Sequence, residues 1–260
     1  MQLGWFGKIM FNNVYQGKKV LITGHTGFKG TWLSIWLNSL GANIIGVSKD
    51  TPTQPSMFEI LKVEETVQHN IIDTRDFKAL YKVISSEKPD FIFHLASQAI
   101  VSESYESPLD TISSNVMGAS NLLESLRILN HKCTAIIITS DKAYDNLEQI
   151  WGYKENDSIG GKDIYSGSKG AVELIFKSYY HSFFKLPESN VRLSTVRAGN
   201  VIGGGDWAKD RLVVDLVLAL SQGKQVKIRS PNSTRPWQHV LEPLSGYLHL
   251  GQALYPNKKL

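Results

Sequence analysis

With 260 residues, of which 42% are hydrophobic, the chain can bury a full core as one large domain or one and a half. The formal net charge of +4 comes from lysines and arginines scattered without runs longer than a pair, which argues against nucleic acid as a partner and favours a small anionic ligand. Cys133 is the only cysteine, so an internal disulfide is excluded, and Cys/His spacing typical of a metal site is absent. We expect a cytoplasmic protein with no membrane association, because the N-terminal apolar run is too short for a signal peptide and no later segment approaches membrane-spanning length.

The first predicted element is a short buried strand at residues 20–22, followed by a glycine cluster and an apolar helix. Gly24, Gly27 and Gly30 are spaced three apart, a GxxGxxG variant of the dinucleotide fingerprint. Gly24 permits the tight turn, Gly27 lets the backbone approach a pyrophosphate, and Gly30 lets helix and strand pack closely. We therefore expect the helix N-terminus to hold two phosphate charges.

Further strands and helices alternate along the rest of the chain. Strands are predicted at residues 43–47, 67–72, 90–95, 135–139 and 191–196, and the main helices between them at residues 77–84, 109–129 and 163–184. This alternation predicts an α/β fold with a doubly wound, Rossmann-like parallel sheet. Residues 1–16 are expected to form a surface arm that leads into the first strand.

The pattern changes after residue 200, where a glycine-rich stretch opens a new region. A helix at residues 211–220, a short strand at 226–228 and a helix at 242–255 indicate a smaller lobe over the carboxyl edge of the sheet. We therefore divide the chain into a dinucleotide-binding domain, residues 1–200, and a partial nucleotide-sugar-binding lobe, residues 201–260.

The end of the second strand bears on the choice between NAD and NADP. An acidic residue normally holds the adenosine ribose hydroxyls there, whereas this chain has Ser48 and Lys49, with Asp50 just beyond. The choice stays open at this point, with NAD favoured.

Tyr165 and Lys169 lie four residues apart in a predicted helix, so they share one face. A lysine ammonium beside a phenol favours the phenolate, and we expect it to lower the pKa of Tyr165 from about 10 towards working pH. Such a tyrosine can accept a proton from a sugar hydroxyl as a hydride leaves the same carbon.

Ser140, Asp141 and Lys142 follow the fifth strand, at the sheet edge where catalytic residues gather. Ser140 can bond a substrate hydroxyl, and a neighbouring acid and base would let the site remove water. A plain ion pair at the end of a strand is the alternative interpretation. Further on, Asn200 and Arg235 could hold a substrate diphosphate, the arginine through a bidentate contact.

Together the motifs GHTGFKG, TSDKAY, YSGSK, RAGNVIGGGDW and RPWQHV resemble the extended short-chain dehydrogenase/reductase superfamily, and within it the CDP-glucose 4,6-dehydratase family. The likeness runs from about residue 16 to the last residue. It implies NAD as cofactor, CDP-glucose as substrate, a homodimer through the helices at residues 109–129 and 163–184, and a place in deoxysugar and O-antigen (lipopolysaccharide) precursor biosynthesis.

The resemblance also implies roles for individual residues. Tyr165, helped by Ser140, would take the 4-hydroxyl proton as NAD accepts a hydride from C4, Lys142 would remove the C5 proton, and Asp141 would protonate the departing C6 hydroxyl, with the hydride returning to C6. Lys169 completes the catalytic set, Asp73 would bind the adenine, and Asn115 would support the tyrosine. Cofactor contacts are expected at Gly24, Thr26, Gly27, Phe28, Lys29, Gly30, Asp73, Thr74, Leu95, Ala96, Ser97, Gln98, Tyr165 and Lys169, and substrate contacts at Gln98, Ser140, Asn200 and Arg235.

Two alternatives stay open. Lys142 argues against another nucleotide-sugar dehydratase or an epimerase, because the related dehydratases usually carry glutamate there and epimerases small residues. Family members continue past residue 260, so we expect a C-terminally truncated substrate lobe, and a catalytically impaired NAD-binding fragment or scaffold is the second alternative.

Overall fold

A computed structural model describes residues 10–226, 228 and 230–256 of the chain. Its centre is a six-stranded sheet, all parallel, in the order β3-β2-β1-β4-β5-β6. The strands are β1 Lys19–Thr23, β2 Asn43–Ser48, β3 Gln68–Ile71, β4 Phe91–His94, β5 Cys133–Ile138 and β6 Val191–Val196. This confirms the predicted doubly wound sheet, and its order reverses beside β1, where such folds bind their ligands.

Helices cover both faces of this sheet and create two cores. Leu33 and Leu37 of α1 (Phe28–Ser39) pack on one face together with Leu244 and Leu248 of α9 (Leu241–Leu254). The other face is covered by α3 (Phe77–Glu87), α6 (Gly118–Arg127) and α7 (Ile164–Tyr179), whose buried side chains include Leu80, Leu122 and Val172. Central strands read as continuous apolar runs because both of their faces are covered.

The helix predicted at residues 109–129 is divided in the structure. After α4 (Val101–Glu106), α5 (Pro108–Ile112) leads into a π-helical turn, Ser113–Met117, and then into α6. Asn115 lies buried within that turn, and single π turns often mark functional positions. The helix predicted at 163–184 similarly ends in a π turn, Tyr180–Phe184, after α7.

The prediction that residues 1–16 form a surface arm is wrong for residues 10–16, which the structure describes. Phe11 and Tyr15 are buried, and the Tyr15 hydroxyl donates to the Leu248 carbonyl oxygen at 2.6 Å. Their aromatic rings supply apolar surface that α9 covers. Residues 1–9 lie outside the described part of the chain.

The region after residue 200 contains a two-stranded parallel sheet, β7 (Val201–Ile202) with β8 (Gln238–His239), that the sequence did not predict. Between them lies α8 (Leu212–Ser221). The helix α9 packs into the core of the main sheet, and the division into a domain of residues 1–200 and a lobe of residues 201–260 stays a prediction. The strand predicted at residues 226–228 includes position 227, which lies outside the described residues.

The remaining short helix is α2 (Met57–Ile60), in the connection after β2. Within the described residues, we find no helix with both the length and the apolar composition needed to cross a bilayer.

Candidate active site

A large cleft of about 1540 Å³ lies at the carboxyl edge of the sheet, between it and the region after residue 200. The structure brings every residue predicted for the site to this cleft. Its lining includes Gly24, Thr26, Gly27, Phe28, Lys29, Gly30, Asp73, Thr74, Leu95, Ala96, Ser97, Gln98, Ser140, Asp141, Lys142, Tyr165, Lys169, Asn200 and Arg235. No cluster of three potential metal-ligating side chains occurs among the described residues.

The glycine loop between β1 and α1 has the geometry of a phosphate cradle. Gly24 has a φ of +75°, and a Cβ atom there would lie 2.8 Å from the backbone nitrogen of Ala96. A Cβ on Gly30 would lie 2.0 Å from the Gly24 carbonyl oxygen, whereas one on Gly27 would approach protein only to 3.5 Å. Gly27 caps α1 without a side-chain hydrogen bond. The first N–H groups of α1 are therefore available to an anion, and the loop fits a dinucleotide pyrophosphate.

At the end of β3, Asp73 belongs to an ion-pair network. Arg75 donates to Asp73 Oδ2 at 2.6 Å and to Asp110 Oδ1 at 2.5 Å. Hydrogen bonds from the Arg75 guanidinium lower the pKa of Asp73 against the opposing effect of burial. The carboxylate expected to bind the adenine is thus ionised and fixed in direction.

The ribose position contains a buried polar pair that the sequence did not reveal. Ser48 Oγ lies 3.0 Å from His25 Nδ1, and His25 Nε2 lies 2.6 Å from His69 Nδ1. Burial, reinforced by His69, lowers the pKa of His25 to about 4. His25 is therefore neutral near pH 7 and anchors the glycine loop to β2.

Tyr165 faces the end of β5. Its phenol is hydrogen-bonded to Ser140 and experiences the charge of Asp141, and Ser140 Oγ donates to Asp141 Oδ1 at 3.0 Å. Lys142 is the next residue in the chain, and its backbone N–H donates to Ser140 Oγ at 3.2 Å. The short helical turn Asp141–Ala143 thus places Asp141 and Lys142 at the cleft that Tyr165 also lines.

The pKa expected for Tyr165 is wrong in direction. Burial raises it, and the Ser140 hydrogen bond opposes that effect only in part. The Lys169 Nζ atom lies 5.9 Å from the centre of the Tyr165 ring, but burial and the nearby Lys29 lower the pKa of Lys169 to about 7. A lysine that is half neutral near pH 7 gives the phenolate less support than a full ammonium.

Two further side chains near Tyr165 were missed by the sequence analysis. Arg211 acts on Tyr165 by its charge and donates to Asp206 Oδ2 at 2.6 Å. Asp163 is the N-cap of α7 and accepts from the Ser166 N–H at 2.9 Å. A helix-capping pattern could have identified Asp163, but no local pattern links Arg211 to Tyr165.

Asn115 supports the tyrosine helix. Its Nδ2 donates to Ser168 Oγ at 2.8 Å and to the Gln98 carbonyl oxygen at 3.1 Å, while its Oδ1 accepts from the Gln98 N–H at 2.7 Å. Ser168 in turn donates to the Tyr165 carbonyl oxygen at 2.7 Å. The side-chain amide of Gln98 is hydrogen-bonded to Ile100 and Thr111, so a ligand contact through that amide stays a prediction.

Contacts between polar side chains join the sides of the cleft. Ser102 Oγ donates to Asp210 Oδ2 at 2.6 Å, and Lys209 Nζ lies 2.9 Å from Glu103 Oε2. Both contacts connect α4 with the segment after β7.

Comparisons with known proteins identify the family of this chain. The family model described as GDP-mannose 4,6 dehydratase matches residues 21–257. The chain belongs to this family. One relative, the CDP-glucose 4,6-dehydratase of Salmonella typhimurium, is 51% identical over 246 residues, which cover 94% of this chain and 68% of the relative.

Solved structures share the architecture of this family member. An epimerase from Methanothermobacter thermautotrophicus matches with a TM-score of 0.80 at 25% identity, covering 92% of this chain and 69% of that one. A double mutant of the dTDP-glucose 4,6-dehydratase of Streptomyces venezuelae, solved with NAD bound, matches with a TM-score of 0.77 at 18% identity, covering 88% of this chain and 70% of that one. This second likeness is one of fold.

Proposed function

We propose that the chain is an NAD-dependent CDP-glucose 4,6-dehydratase, a hydro-lyase that converts CDP-glucose to CDP-4-keto-6-deoxyglucose. The observation that carries the proposal is the convergence of Ser140 and Asp141, at the end of β5, on the buried phenol of Tyr165, with Lys142 lining the same cleft. The 51% identity to a CDP-glucose 4,6-dehydratase supports the choice of substrate.

The residues of the glycine loop fit NAD. The uncapped N-terminus of α1 and the open side of Gly27 would hold the pyrophosphate, Asp73 would bind the adenine, and residues 95–98 would line the nicotinamide side. NAD, when bound, supplies the acceptance of a hydride from sugar C4 and its return to C6.

The protein side chains would accept and donate the protons of the reaction. Tyr165 would accept the 4-hydroxyl proton as the phenolate, and its hydrogen bond with Ser140 opposes the rise in pKa that burial causes. A ketone at C4 acidifies the C5 proton, which Lys142 would remove, while Asp141 would protonate the C6 hydroxyl as it leaves as water. The turn Asp141–Ala143 carries the two residues as neighbours in the chain.

The substrate diphosphate would lie against Asn200 and Arg235. Both residues line the cleft, and Arg235 is exposed to solvent. A planar guanidinium pairs well with phosphate oxygens.

We further propose a homodimer that forms through α5, the π turn after it and α7. These segments pack side by side, and they carry exposed apolar side chains: Leu109 is 79% exposed, Leu174 55% and Met117 51%. Apolar side chains in such a group favour an interface. A cytoplasmic location is supported by Cys133, a buried free thiol.

One experiment tests the reaction and its alternatives. The protein is incubated with CDP-glucose and NAD in deuterated water, and the sugar product is analysed by NMR. A dehydratase gives a 4-keto-6-deoxy sugar with deuterium at C5, and this is the expected result. A new hexose would indicate an epimerase, and unchanged CDP-glucose would contradict enzymatic function in this chain.

A further inference from the structure

We propose that the buried ion pair between Glu173 and Arg197 positions the catalytic segment 140–142 against Tyr165, so that both are positioning residues for the proposed dehydration. The inference rests on the proposed function. It follows from the way in which this pair contacts both ends of the segment.

Glu173 continues the catalytic face of α7. Tyr165, Lys169 and Glu173 follow one another at intervals of four residues, so they lie along one side of the helix. The first two line the cleft, whereas the side chain of Glu173 is only 4% exposed and lies against the edge of the sheet. A carboxylate in that position is costly unless all of its oxygens are paired.

Residues at the ends of β5 and β6 pair with both oxygens of this carboxylate. Thr139 donates to Oε1, and Thr195 donates to Oε2 at 2.9 Å. Arg197 adds a fork, with Nε 3.1 Å from Oε1 and Nη2 3.0 Å from Oε2. Thr139 immediately precedes Ser140. The contact between Thr139 and Glu173 therefore fixes the position of α7 along its axis relative to the start of segment 140–142.

Arg197 contacts the other end of that segment. Its guanidinium carbon lies 4.5 Å from the centre of the Tyr144 ring, and Tyr144 directly follows the turn Asp141–Ala143. Residues 140–143 are therefore held at Thr139 through Glu173 and at Tyr144 through Arg197. The planar guanidinium can pair and stack at once, which a lysine cannot do.

Neither side chain belongs to the lining of the cleft in the described part of the chain. They act on the reacting groups through Thr139 and Tyr144, and through the backbone of α7. Loss of the pair should let α7 move relative to β5 and lengthen the hydrogen bond between Tyr165 and Ser140. Substrate contacts at Asn200 and Arg235 should be unaffected.

The test compares Glu173→Gln, Tyr144→Leu and the control Tyr144→Phe, which keeps the aromatic ring under Arg197. We expect the first two variants to lower kcat with CDP-glucose at least tenfold, with KM and the Kd for NAD within about twofold of wild type. The control should keep the wild-type kcat. A wild-type kcat in Tyr144→Leu, or an equal loss in Tyr144→Phe, would overturn the proposal.

A second measurement needs no turnover and covers the case in which Glu173→Gln folds poorly. NMR of protein labelled at tyrosine Cζ, with Tyr165→Phe identifying the signal, follows the ionisation of Tyr165 in wild type and in Tyr144→Leu. We expect Tyr165 to ionise at higher pH in the variant, because the Ser140 hydrogen bond that favours the phenolate is weakened. An unchanged titration would contradict the positioning role, whereas an inactive wild type with a shifted titration would contradict only the proposed function.

Discussion

The ammonium nitrogen of Lys169 lies 5.9 Å from the centre of the Tyr165 ring, and both side chains are buried. Burial disfavours the charged form of each group, so it lowers the pKa of the lysine to about 7 and raises that of the tyrosine. Near physiological pH, Lys169 is therefore present in both its neutral and its charged form. This affects the stability of the protein as well as its chemistry.

The stability of the protein without added cofactor should depend on Lys169. Its pKa falls from 10.5 to about 7 on folding, so the unfolded chain binds more protons between these values and stability rises with pH through that window. We expect the difference in unfolding free energy between wild type and Lys169→Met to change by about 2 kcal/mol in favour of wild type from pH 7 to pH 9. Urea denaturation at the two pH values measures it.

Lys29, with a pKa lowered to about 8 mainly by burial, contributes with the same sign in both proteins and largely cancels in this comparison. The raised pKa of Tyr165 affects stability only above pH 10. A difference between the two proteins that is constant from pH 7 to pH 9 would show that Lys169 keeps its ordinary pKa after folding.

Replacement of Lys142 should stop the removal of the C5 proton. We expect Lys142→Met to lower the rate of deuterium incorporation at C5 by about 10²- to 10⁴-fold, the usual contribution of a general base, with little change in KM. Lys132→Met is the matched control, because Lys132 is exposed and directly precedes β5 at its opposite end. Equal rates in both variants would assign the proton transfer to another group.

Alanine substitutions at Gly30 and Gly27 should affect different quantities, the first the stability of the fold and the second the affinity for NAD. Alanine at position 30 meets the Gly24 carbonyl oxygen at 2.0 Å, so we expect Gly30→Ala to lose roughly 1–3 kcal/mol or more of stability. Alanine at position 27 has only an ordinary contact at 3.5 Å. Gly27→Ala should therefore keep its Tm and weaken the Kd for NAD about tenfold or more, or about 1.4 kcal/mol. Calorimetry and NAD titration give both quantities, and unchanged NAD affinity in Gly27→Ala would place the pyrophosphate elsewhere.

The proposed dimer predicts the effect of a charge on α7. Leu174 is 55% exposed, so Leu174→Glu should leave the fold intact while converting a dimer to a monomer in analytical ultracentrifugation. Leu220→Glu serves as control, since Leu220 is 69% exposed but lies on α8, away from the proposed interface. A dimer that survives Leu174→Glu would contradict the use of this surface.

The sequence predicted the sheet and the glycine loop because local patterns determine them. Apolar runs mark strands that are covered on both faces, and the spacing of Gly24, Gly27 and Gly30 follows directly from the turn and from helix packing. The spacing of Tyr165 and Lys169 likewise predicted that they lie together.

Other features depend on neighbours distant in sequence. The pKa of Tyr165 is governed by burial, which the interval between two residues does not reveal. The π turn at Asn115 brings that side chain to Gln98 and Ser168, and the burial of Tyr15 depends on a helix more than two hundred residues later. Tertiary contacts of this kind override local signals. Here the signals were the helical periodicity behind the helix predicted at residues 109–129 and the position near the N-terminus behind the predicted surface arm.

The contacts between α4 and the segment after β7 differ from the Tyr165–Lys169 pair in their exposure to solvent. The hydrogen bond from Ser102 to Asp210 and the ion pair of Lys209 with Glu103 are solvent-accessible, whereas Tyr165 and Lys169 are buried. Dissolved ions weaken accessible charges far more than enclosed ones. All four residues of these contacts line the cleft. We therefore expect the KM for CDP-glucose to change with ionic strength more than kcat does, and a salt series of both constants measures this. Substrate binding and proton transfer would thus differ in how strongly they depend on salt concentration.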